Sequence, residues 1–152
     1  MTTPTLPELE AEEATLILPH FDEHMALKLG NAIVALAVAR NAPVVVNIRN
    51  ANRCFFHAAL PGSAATNDNW ARRKSNAALM TGHASLMIGM HHAARNRTIA
   101  DEGWSPIDFS DSGGAVPLRV AGAGIVAVAT VSGLPQVEDH KMVVEAIRSL
   151  IG

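Results

Sequence analysis

The stretch from Ile125 to His140 constrains most tightly what this chain can fold into. Ile125–Val131 is an almost unbroken apolar run, and Ser132-Gly133-Leu134-Pro135 hands it to a helix whose apolar positions Val143, Val144, Ile147 and Leu150 recur at helical spacing. A strand apolar on both faces needs cover on both, so the last helix cannot be its only neighbour. Pro135 suits the first helical position, where a missing N–H costs nothing, and Glu138 and Asp139 complement the positive end of the helix dipole. Asp139 and His140, three to four residues before Val143 and Val144, border the buried face of that helix beside the Gly133 turn.

Val44–Arg49 alternates, with Val44, Val46 and Ile48 on one face and Asn47 and Arg49 on the other; a turn at Asn50–Arg53 and a returning strand at Cys54–Leu60 complete a hairpin. Val116–Val120 pairs with Ile125–Val131 through a turn carrying Gly122 and Gly124. Two hairpins predict an antiparallel sheet, and the helical stripes predict its cover: an α+β layered domain. One stripe, Ala26, Leu29, Ile33 and Ala37, follows Asp22 as its cap; a second long helix starts at Asp68 or Asn69 and runs through Leu79, Leu86, Met87 and Met90 into His91-His92. Ala14–Leu18 reads as a short strand stopped by Pro19. Residues 1–13, acidic and carrying Pro4 and Pro7, form an N-terminal arm with a short helix near Glu8–Glu13; residues 14–152 form a single domain. Residues 95–114, closed by Gly113-Gly114, are the longest irregular segment and the expected functional loop. If helices cover only one sheet face, a second subunit must cover the other, which predicts a homo-oligomer.

A formal charge of −2, spread along the chain, offers no footprint for nucleic acid or for an anionic membrane surface. No basic segment precedes an N-terminal apolar run and no apolar run approaches a membrane span, so a cytoplasmic protein is expected. A lone Cys54 excludes an intrachain disulfide and a Cys-based zinc site. With no Tyr, two Trp and four Phe, a pocket for a flat cofactor would be walled mainly by aliphatics.

Asp139 and His140 are candidates for a carboxylate and an imidazole facing a pocket. Lys74 and Gly113-Gly114 are their natural partners, since glycine N–H groups approach an anion closely and a lysine supplies charge; Gly133 closes the turn above them. His20-x-x-Glu23-His24 spells an inverted zinc-protease motif, yet His20 directly follows Pro19, before regular helix begins, so no zinc site is assigned. His57, His83 and His91 are the candidate haem-iron ligands, because haem needs only one or two axial groups and a greasy slot. Trp70 reads as a packing anchor, and no Gly-x-Ser-x-Gly elbow accompanies Ser132.

Taken together, Asp68-Asn69-Trp70…Lys74-Ser75-Asn76-Ala77, Gly113-Gly114-Ala115-Val116-Pro117-Leu118, Gly122…Gly124 and Val131-Ser132-Gly133-Leu134-Pro135-Gln136…Asp139-His140 resemble a branch of the HbpS-like, GlcG-like superfamily labelled as haem-degrading domains. The likeness extends over most of residues 14–152. It implies a profilin-like fold, a five-stranded antiparallel sheet with long helices packed on it, assembled as a homodimer or higher homo-oligomer. It also implies a small binding protein for haem or another small anionic ligand, with slow haem degradation as the label suggests, and it adds Asn69 to the ligand candidates. The alternative is an oligomeric scaffold without catalysis. A third reading, an enzyme with His140 as general base, lacks an evident second catalytic group.

Overall fold

A computed structural model describes residues 2–151. The chain runs α1 (Leu6–Thr15), β1 (Ile17–Leu18), α2 (Glu23–Ala39), β2 (Val45–Arg49), β3 (Cys54–Ala59), α3 (Ala65–Thr81), α4 (Ser85–Ala94), a 3-10 turn (Ile99–Glu102), β4 (Ala115–Val120), β5 (Gly124–Ser132) and α5 (Gln136–Ile151). The strands form one sheet in the order β1-β4-β5-β2-β3. Both expected hairpins are present, β2 against β3 and β4 against β5, and β2 joins them by pairing antiparallel with β5, Val45 opposite Ser132. Only β1 breaks the antiparallel pattern, pairing parallel with β4 through Ile17–Arg119 and Leu18–Val120. Two residues long, it arrives directly from α1 and has no hairpin to reverse it.

Helices cover both faces. Val116, Leu118, Ala127, Ala129 and Val131 pack beneath α2 and α5 with Leu29, Ile33, Val143 and Ile147, all buried. On the other face Val128 and Ala115 meet Ala78 of α3. The chain therefore supplies the second cover for which a partner subunit was expected. Small side chains at Ala71, Ser75, Ala77 and Ala78 bring α3 close to the sheet, and one long polar residue, Lys74, is buried among them.

The second long helix of the sequence reading is two helices. Gly82 takes the left-handed conformation (φ 75°), its N–H donates to the Ala78 carbonyl at 2.9 Å, and α3 stops there. The Glu13 carboxylate of α1 accepts the Ala84 N–H at 3.1 Å just before α4 begins. Asp22 caps α2 as expected, accepting the Met25 N–H at 2.8 Å. The N-terminal segment is a capped helix: Thr5 and Glu8 exchange side-chain and backbone hydrogen bonds, and Leu9 docks against Ala84, Leu86 and Met87. Arg73 and Asn76 of α3 donate to the Pro106 and Asp108 carbonyls, so the irregular segment is pinned to that helix. Among the described residues no helix is long and apolar enough to cross a membrane.

Candidate functional site

At the C-terminal end of β5 the chain turns through Gly133 and enters α5, and Asp139 in the first turn of that helix folds back over it. Its Oδ1 accepts the Leu134 N–H at 2.9 Å and its Oδ2 the Gly133 N–H at 3.3 Å, so one side chain fixes both turn and helix start. Lys74 reaches the same oxygen from α3 at 3.1 Å and donates also to the Val131 carbonyl at 3.3 Å. Both partners are almost fully buried. Burial pushes the Asp139 carboxyl above its ordinary range and the Lys74 ammonium below its own, while each charge pulls the other back. The pair is locally neutral and ties α3, β5 and α5 at one point.

Two glycines make that approach possible. Gly114 sits at φ 139°, and a Cβ there would strike the Val131 carbonyl and come within 2.9 Å of Lys74 Nζ. At Gly133, φ 149°, a Cβ would run into the Pro43 carbonyl. The Gly113 N–H donates to Gln136 Oε1 at 2.8 Å, which joins the loop end to the start of α5.

Beside the pair lies a hollow of about 250 Å³ bordered by Asn67, Trp70, Lys74, Ser112, Ser132 and Gln136. Of the sequence candidates, Lys74, Asp139 and Gly133 line it, and Gly113 and Gly114 support its wall. Asn69 does not; it is exposed and accepts from Arg72 at 3.2 Å. His140 faces the other way, 1% exposed, with Nε2 2.6 Å from Glu12 of α1 and Nδ1 buried without a hydrogen-bond partner among the described residues. His140 does not line this hollow. Asn67, Ser112 and Gln136 were not singled out in the sequence, and Ser132 only as a serine without a nucleophile elbow; Ser132 and Gln136 stood in the Val131–Gln136 string, the one available signal.

A second hollow, about 300 Å³, lies between α4 and the irregular segment, lined by His83, Ile88, His91, His92, Arg95 and Trp104 among others. His83 Nδ1 is 3.0 Å from Glu13, and His92 is held between Asp111 (2.8 Å) and Glu102 (3.4 Å). His91 makes no side-chain hydrogen bond to the described residues. His57 is remote, on β3 at the sheet edge, its ring nitrogens engaged by Asn47 (3.0 Å) and Asp68 (2.8 Å). His20 precedes α2 and Glu23 pairs with Arg53, so the zinc-protease letters share no helix face. Among the described residues no group of three His, Cys, Asp or Glu side chains gathers as a bare metal ion would require.

Against known proteins, a family model described as haem degrading protein HbpS-like matches residues 21–148. A UPF0303 protein of Streptomyces avermitilis is 46% identical over 149 residues, covering 97% of this chain and 91% of its own. Among solved structures, that of the Ybr137w protein superposes with a TM-score of 0.90 at 30% identity, covering 99% of this chain and 89% of its own. The complex of PduOC with haem superposes with a TM-score of 0.73 at 21% identity, over 85% of this chain and 94% of its own, a likeness of fold.

Proposed function

The chain belongs to the HbpS-like family, and on that premise we propose that it binds haem in the hollow between α4 and the irregular segment. The observation that carries this reading is His91: every other imidazole of the hollow is held by a carboxylate, whereas His91 lines it uncommitted to any described residue. A haem iron takes an axial imidazole, and its porphyrin carries two carboxylates on a flat apolar ring. Ile88 and Trp104 offer apolar surface to such a ring, and Arg95 offers a cation to a carboxylate. Trp104 is itself backed by Phe109, their centroids 5.5 Å apart. The polar hollow at Lys74 and Asp139 fits haem less well, being walled by amides and hydroxyls and without an imidazole.

His91 would hold the iron, and the bound group would supply a redox-active centre. What the chain itself does is orient and exclude: paired carboxylates keep His83 and His92 in place, and Ile88 and Trp104 shield one side of the hollow from water. Titration with haemin tests the assignment. Wild-type protein is expected to give a saturable Soret shift that His91→Ala removes while His57→Ala does not; an unchanged shift in His91→Ala overturns the reading.

A further inference from the structure

We propose that the hollow at Lys74 and Asp139 is a second, separate binding site, built for a small organic carboxylate with a flat or apolar body. The argument rests on which hydrogen-bonding groups there are already spent. Lys74 and Asp139 cancel each other's charge, and Asp139 is consumed by three donors: Lys74 and the Gly133 and Leu134 N–H groups. No side-chain carboxylate is left over to attract a cation.

The two amides are oriented by the backbone. Asn67 Oδ1 accepts the Ala64 N–H at 2.9 Å and Gln136 Oε1 accepts the Gly113 N–H at 2.8 Å, so in both side chains the carbonyl end takes a backbone N–H while the NH2 end donates to no described residue. An amide's two ends look alike in outline, but here an N–H on the far side dictates which is which. The Ser112 and Ser132 hydroxyls also make no hydrogen bond to the described residues, and Lys74 keeps one N–H beyond the two it uses.

The side chains lining one hollow of about 250 Å³ thus carry two NH2 groups, two hydroxyls and one ammonium N–H that no described residue takes up, while the carboxylate and both amide oxygens already accept backbone N–H groups. Such a set solvates an acceptor-rich group without needing net positive charge. Trp70 and Leu134 supply the apolar part of the wall, and Arg73 stacks on the Trp70 ring at 4.3 Å. A carboxylate on a flat body satisfies both halves of the lining. This hollow shares no lining residue with the one proposed for haem, so either assignment can fail alone.

The full-length chain, titrated with benzoate, benzylamine and benzamide while backbone amide NMR shifts are followed, tests the proposal. Benzoate is expected to produce saturable shifts at Ser112, Gly133 and Gln136, benzamide weaker ones and benzylamine none. Gln136→Glu and Asn67→Asp keep the oxygen that the backbone N–H needs and convert the free donor into an acceptor. Each is expected to weaken benzoate binding at least about tenfold at an unchanged melting temperature. Benzylamine binding as well as benzoate, no saturable benzoate response, or full benzoate affinity in both variants would each overturn the proposal.

Discussion

The two hollows border the same irregular segment, yet they are made in opposite ways. Around Lys74 and Asp139 the chain has buried its charges, committed them to backbone groups and removed every Cβ that would intrude. Around His91 the carboxylates that hold the neighbouring imidazoles are themselves part-exposed, and one ring is left free. A change to the Lys74–Asp139 pair or its glycines is therefore expected to register in stability, and a change at His91 in binding, since buried pairs become costly when halved while exposed ones contribute little.

The largest effect that separates the regions is expected from Lys74→Met. It strands Asp139 as a buried unpaired charge and should cost about 3–5 kcal/mol in urea unfolding. Adding Asp139→Leu should recover part of this loss; an equal or greater loss in the double variant would mean that the Gly133 and Leu134 N–H groups it leaves unpaired cost as much as the stranded charge. Next comes Gly114→Ala, which meets both an unfavourable φ and the Val131 carbonyl and should cost about 1–3 kcal/mol. Gly122→Ala, at φ 79° with nothing near its Cβ, should cost only about 1 kcal/mol by the same urea unfolding. His91→Ala should stay within about 0.5 kcal/mol of wild type even as it removes the haemin response. A clear fall in melting temperature would instead make His91 a structural residue.

The smallest effect concerns the edge of the second region, where α1 supplies Glu13. Hydrogen bonds from the Thr5 backbone and hydroxyl hold the Glu8 carboxyl below its ordinary range. A depressed carboxyl stabilises the fold above its unfolded value, and that contribution is lost as pH falls through the folded value. Acidification is expected to speed hydrogen exchange at the first amides of α1 before those of α5; simultaneous loss would show that the capping box does not govern α1.

Most of the sheet was legible because periodicity two survives wherever one face is polar, as in Val44–Arg49, and because a continuous run such as Ile125–Val131, buried from Ala127 onward, leaves its central residues no exposed face. The break at Gly82 was not, since Leu79, Leu86 and Met87 fit a single helical stripe and only the left-handed turn between them separates α3 from α4. Lys74 and Asp139 were legible as partners, 65 positions apart, through the glycines that flank them. The direction of His140 was not. Its helix face was readable, but its partner Glu12 belongs to a segment that read as an arm, and no local pattern announces a contact across 128 positions. Nor does a sequence say which end of Asn67 or Gln136 is spoken for; that depends on single backbone N–H groups at Ala64 and Gly113.

The Glu12–His140 contact also bears on the order in which the chain can be completed. Glu12 of α1 is an acid whose imidazole partner is made 128 residues later, and β1 waits likewise for β4. Neither can lock until those later segments are available, because closing so long a loop brings its entropic cost before any reward. The two hairpins and α2 can assemble on their own local contacts; α1 then closes over α4 and α5 as the final seal, and a nascent chain truncated within α5 should hold its N-terminal helix loose.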